Sequence, residues 1–161
     1  MTFKQFFIGF SLLVCSFSQA QEKDYKPLLE TLFLHSKNDF KDIVGEENET
    51  SMFRDSKLKP EVGEIKISIM SYGANLNWTI PLDQSQKIQK DVEDFIKAKF
   101  VGNKDYMIAE SDDFENENFV TKNVYLKLGD RKPKLLFQTF YFKDNIDDRK
   151  SSFSMMIYGK K

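Results

Sequence analysis

The stretches NFVTKNVYLKL (118–128), KLLFQTFYF (134–142) and SFSMMIY (152–158) decide the fold. In the first, Val120, Val124, Leu126 and Leu128 fall on one side of an extended chain, and Thr121, Asn123, Tyr125 and Lys127 on the other. A period of two marks a strand with one face on a core. The second stretch is apolar on both sides, with Leu136, Phe140 and Phe142 opposite Leu135, Phe137 and Tyr141, as in a central strand with both faces occupied. The third alternates again, Phe153, Met155 and Ile157 against Ser152, Ser154 and Tyr158. The connections are too short for helical crossovers, so the three segments read as antiparallel neighbours.

Upstream, another pair of strands reads clearly. Ile65, Ile67 and Ile69 face one way and Lys66, Ser68, Met70 and Tyr72 the other; Gly73-Ala74-Asn75 offers a turn, and Leu76, Trp78 and Ile80 then alternate with Asn77 and Thr79. A short strand is expected around Thr50 to Arg54, and one more over Asp105 to Glu110, with Tyr106 and Ile108 pointing together.

Two helices complete the list. From Asp24 to Val44, Leu28, Leu29, Leu32, Phe33, Phe40 and Ile43 recur every three or four residues, with Asp24 placed to cap, Pro27 in the first turn and Gly45 at the end. From Asp83 to Val101 the stripe is Ile88, Val92, Phe95, Ile96 and Phe100, with Asp83 and Gln86 spaced as a capping box and Gly102 as the stop. Asp91, Glu93 and Asp94 mix with Lys87, Lys90, Lys97 and Lys99 on what reads as its solvated face. The expected fold is α+β: two amphipathic helices packed on one face of a mainly antiparallel sheet, in the order α-β-β(-β)-α-β-β-β-β.

The first twenty residues read as a signal peptide. Lys4 supplies a positive start, Phe6 to Phe17 is an apolar run, and Ser18-Gln19-Ala20 presents small residues at the two positions a signal peptidase reads, so the mature domain is expected to span 21–161. The run is too short to span a bilayer. Leu12-Leu13-Val14-Cys15 resembles a lipobox, but Val14 stands where Gly, Ala or Ser is wanted, which disfavours a lipid anchor at Cys15. Cys15 is the only cysteine, so the mature domain has no disulfide and no thiol. These features point to an exported bacterial protein, periplasmic or extracellular.

Composition excludes some functions. The net charge is −1, and only Arg54, Arg131 and Arg149 carry the bidentate forks that phosphate readers use, so nucleic acid is not an expected partner. His35 is the sole histidine and has no cysteine in the mature domain to share a metal with. The acidic run Asp112 to Glu117 has no glycine to turn it into a calcium loop, and Asp144 to Asp148 fails the EF-hand spacing. Of two glycosylation-like triplets, Asn48-Glu49-Thr50 and Asn77-Trp78-Thr79, the second falls inside a strand. There is no Gly-x-Ser-x-Gly, and the seven glycines are too scattered for a phosphate loop. No catalytic role, metal or cofactor is expected.

What is left is a surface. Once apolar sides are assigned to the helices, Tyr72, Tyr125 and Tyr158 lie on the remaining side, with Tyr141 as a fourth candidate, among Lys66, Ser68, Thr121, Asn123 and Ser154. Tyrosine joins a broad ring to a hydroxyl and loses little rotamer freedom on binding. The expected function is therefore that of a non-catalytic binding module for an unknown protein, peptide or glycan. The alternative is a carrier of a small apolar ligand held between the helices and an aromatic-rich sheet.

Overall fold

The computed structural model describes residues 24–47, 51–71, 73–112, 119–142 and 152–160. Residues 1–23 with Cys15, Asn48 to Thr50, Tyr72, all but Asp112 of the acidic run and Asp144 to Asp148 lie outside them. The elements are α1 (Lys26–His35), β1 (Phe53–Asp55), β2 (Glu64–Met70), β3 (Gly73–Pro81), α2 (Gln86–Phe100), β4 (Tyr106–Asp112), β5 (Phe119–Leu128), β6 (Arg131–Phe142) and β7 (Ser152–Tyr158). All seven strands form one antiparallel sheet in the order β1-β2-β3-β7-β6-β5-β4. The fold is α+β, with both helices on one face.

The sheet divides into two hairpin-built halves joined by α2. β1, β2 and β3 pair in sequence, α2 carries the chain across to the far edge, and β4, β5, β6 and β7 return strand by strand until β7 closes onto β3. Trp78 pairs with Met155 and Ile80 with Phe153 across that closure, and all four are buried. Burying side chains of this size is the principal favourable term in folding, at about 25 cal/mol per Å² of apolar area removed from water.

Aromatic rings join the two layers. Phe33 on α1 meets Phe95 and Phe100 on α2 at 6.0 and 5.5 Å between centroids; Phe95 reaches Phe137 on β6 at 6.0 Å, and Phe100 reaches Tyr106 on β4 at 5.0 Å. Most of these pairs are edge-to-face, the arrangement favoured by the ring quadrupole. Trp78 is fully buried and satisfies its indole by donating to the Val62 carbonyl at 2.9 Å, as core placement of a tryptophan requires.

Three local expectations are corrected. The first helix stops at His35 instead of Val44: a 3-10 turn follows over Ser36–Asn38, and Asp39 and Phe40 take left-handed backbone angles, φ 58° and 59°. The chain thereby folds back so that Gly45 donates to the Asp55 carbonyl at 2.8 Å and Lys57 to that of Ile43 at 2.7 Å. The capping box does not form, because a 3-10 turn over Leu82–Gln84 delays α2 to Gln86; Ser85 takes the cap position and its hydroxyl donates to the Leu82 carbonyl at 2.7 Å. In β6 the pairing with β5 slips between Val124 and Tyr125, so Val124 faces Phe137 while Tyr125 faces Leu135. Leu136 is the extra residue of this bulge and packs on the core beside Phe137, instead of sharing a side with Phe140.

Candidate functional site: the open face of the sheet

Register places the leftover side chains in rows running across the strands. One row contains Tyr158, Asn75, Ser68 and Phe53 from β7 to β1, and Tyr125 sits opposite Leu135 at its other end. The next contains Asn123, Gln138, Met156, Asn77 and Lys66, and the third Thr121, Phe140, Ser154, Thr79 and Glu64. Outside β1, these positions alternate with the hydrophobic core positions of their strands, and so belong to the face away from α1 and α2.

Tyr125 and Tyr158 are close enough for their charges to interact. Burial pushes the Tyr158 phenol above its ordinary pKa of 10.0, with the neighbouring Tyr125 adding to the shift. The Tyr158 hydroxyl donates to Gln138 Oε1 at 3.2 Å and lies 3.4 Å from Met156 Sδ, which fixes its ring over the middle row. Tyr158 is therefore a neutral phenol at physiological pH, available as a hydrogen-bonding group.

Tyr72 falls outside the described residues. The side chain of Tyr141 lies outside the described residues; its backbone pairs with Phe153 and Val120. Ser68, Thr121, Asn123 and Ser154 take the open-face positions expected of them, short and packed low between larger neighbours. Lys66 is also on this face but is committed to it structurally, with Nζ 2.6 Å from Asp55 Oδ1 and 2.8 Å from Glu64 Oε1. Its pKa is pushed up to about 12 by those two hydrogen bonds.

Sequence reasoning placed Asn123 on this face but missed Asn75, Asn77 and Gln138. Asn75, Asn77, Gln138 and Asn123 form a neutral patch beside the two tyrosines, and only register brings Gln138 next to Asn123. The alternation of Asn75, Asn77 and Thr79 against Leu76, Trp78 and Ile80 was the signal available for the first two. Among the described residues, the buried side-chain polar atoms without a hydrogen-bond partner are Ser68 Oγ, Asn77 Oδ1 and Asn123 Oδ1, and all three belong to this face. Buried polar groups are ordinarily paired, since leaving one unpaired costs about 1–3 kcal/mol.

His35 does not join the patch. It lies at the end of α1 with Nδ1 3.6 Å from Asp42 Oδ2. Among the described residues no three of His, Cys, Asp and Glu are grouped to hold a metal ion, and no helix is long and apolar enough to cross a membrane. Compared with protein-family models, with curated proteins and with solved structures, the chain matches none of them.

Proposed function

We propose that the chain is an exported, non-catalytic binding module that engages its partner through the open face of the sheet, and that the partner is a neutral glycan. The observation that carries this reading is the cluster of half-buried side-chain amides, Asn75, Asn77 and Gln138, on the face away from α1 and α2. Side-chain amides both donate and accept, which suits the hydroxyl groups of a sugar. Tyr125 and Tyr158 add ring surface beside them, and the charges at the β1–β2 end of these rows, Lys66, Glu64 and Asp55, are paired with one another. A neutral patch of this kind offers no attraction to a phosphate or polyanion. Export is supported by the sequence features of residues 1–20.

The test is a glycan array followed by calorimetric titration of the best ligand. Tyr125→Ala with Tyr158→Ala, and separately Asn77→Ala, are expected to weaken that ligand by about tenfold or more while circular dichroism stays unchanged; tenfold corresponds to ~1.4 kcal/mol. Ligand binding indifferent to all three substitutions in folded protein overturns the reading. So does a partner captured from envelope extract with equal efficiency by wild type and variants.

A further inference from the structure

A second feature lies on the helix side, beyond the C-terminal end of α1. Phe33 from α1 and Tyr106, Leu126, Leu128 and Leu136 from β4, β5 and β6 wall an open cleft of about 520 Å³. Small-molecule sites typically run about 300–1,000 Å³ and are mostly apolar with a few placed polar groups. Leu128 is 42% exposed there, an aliphatic side chain left facing water. The charged side chains that line it are all of one sign: Lys37, Lys134 and Lys160. We propose that this cleft binds a single-chain amphiphile with a carboxylate head, such as a medium-chain fatty acid, its tail against the leucines and its head among the lysines.

The geometry favours an anion at this position. Lys134 is half-buried and donates to the Lys160 carbonyl, holding its ammonium in place at the cleft. Burial lowers its pKa; Asp39 opposes that shift and Lys160 adds to it. Asp39 is the nearby carboxylate, and its Oδ1 is occupied by the Lys160 backbone N–H at 2.8 Å. An entering carboxylate would therefore supply a charge partner to a partly desolvated ammonium, where ionic hydrogen bonds are stronger than in water. The centre of the helix–sheet interface, by contrast, is filled by Trp78, Phe100, Phe137 and Met155, all fully or almost fully buried. A carried ligand belongs at this end and not in the middle.

The experiment titrates the purified protein with decanoate, decanol and decyltrimethylammonium below their micelle concentrations, read by calorimetry and by methyl NMR. Saturable decanoate binding that shifts the Leu126, Leu128 and Leu136 methyls, with no binding of the cation, supports the proposal. Lys134→Gln is expected to weaken decanoate by about tenfold or more and leave decanol unchanged, a difference of ~1.4 kcal/mol. Lys37→Gln, at an exposed position, carries the same test if the first variant does not fold, and Leu128→Trp should block both ligands by filling the cleft. Equal binding of decanoate and the cation overturns the proposal, as do shifts spread away from these leucines or decanoate binding unchanged in both lysine variants. Tyr158 borders the cleft and the open face alike, so the variants avoid it. Failure here leaves the glycan reading untouched, since neither Lys37, Lys134 nor Leu128 is in its rows.

Discussion

Asp91 shows how one residue can depart from the pattern of its helix for a definite reason. The periodicity of α2 assigns it to solvent among the lysines, yet it is 1% exposed. Its carboxylate accepts the Tyr25 backbone N–H at 2.9 Å and the Lys87 ammonium at 2.6 Å, so it ties the start of α1 to the middle of α2. Burial pushes its pKa up, but the hydrogen bonds from Lys87 and Tyr25 outweigh that and hold it below the ordinary 3.8. A carboxylate with a depressed folded-state pKa stabilises the fold above its unfolded pKa of about 3.9, and that contribution is lost as pH falls through the folded value. Asp91→Ala should therefore lower stability by ~1–3 kcal/mol at neutral pH, because the buried Tyr25 N–H loses its acceptor. The deficit should shrink steadily below about pH 4. Melting temperature measured from pH 7 to pH 2 checks both; a deficit independent of pH would show that the charge of Asp91 contributes nothing.

At the scale of the element, α2 and β6 differ in what their apolar residues do. Every member of the α2 stripe is buried, as its 3.6-residue period requires, whereas β6 is apolar on both sides and its two sides are unequally buried. Phe137 is buried under α2; Phe140, three residues on, sits half-buried on the open face opposite Thr121 and Ser154. Phe95→Ala is thus expected to cost on the order of 3–5 kcal/mol through lost transfer energy and the cavity left behind. Phe140→Ala should cost clearly less, since little of a cavity forms at a half-exposed site. Chemical denaturation of the two variants decides it, and equal losses would mean that the open face is covered in solution. The apolar run of β6 is legible as a strand but not as a two-sided one. Apolar content on both sides of a strand says what water would rather not touch, not which side has a partner. The early end of α1 has a similar origin: Leu29, Leu32, Phe40 and Ile43 keep helical spacing, but the pairing of Val44 with Ser56 and of Gly45 with Asp55 requires the chain to turn back at Asp39 and Phe40.

The described residues form two layers, α1 and α2 on one face of a seven-stranded sheet, with no helix among the described residues on the other. If the first twenty residues are an export signal, the secreted form starts at Gln21 and carries no lipid; N-terminal sequencing of the exported protein checks this, and a lipid-modified start at Cys15 would refute it. The sequence by itself determined the class of fold, because periods of 2 and 3.6 report directly which positions must leave water, and the long elements obey them apart from the bulge at Leu136 in β6. It also determined that Tyr125, Tyr158, Ser68 and Ser154 face away from the helices, since alternation from a buried neighbour needs no knowledge of the partner strand. Only the tertiary structure decided which strands adjoin. The closure of β7 onto β3 joins residues more than seventy positions apart, and no local pattern encodes it. That closure puts Asn77 beside Met156 and Tyr158 beside Asn75, while the β6 pairings bring in Gln138. The cleft at the end of α1 was likewise invisible in sequence: it exists because the chain stops being helical at Ser36, and because β5, β6 and the C-terminal segment carry Leu126, Leu136 and Lys160 to the same place. Burial is written along the chain, residue by residue, whereas adjacency is settled only when distant segments compete for the same partner in a packed interior.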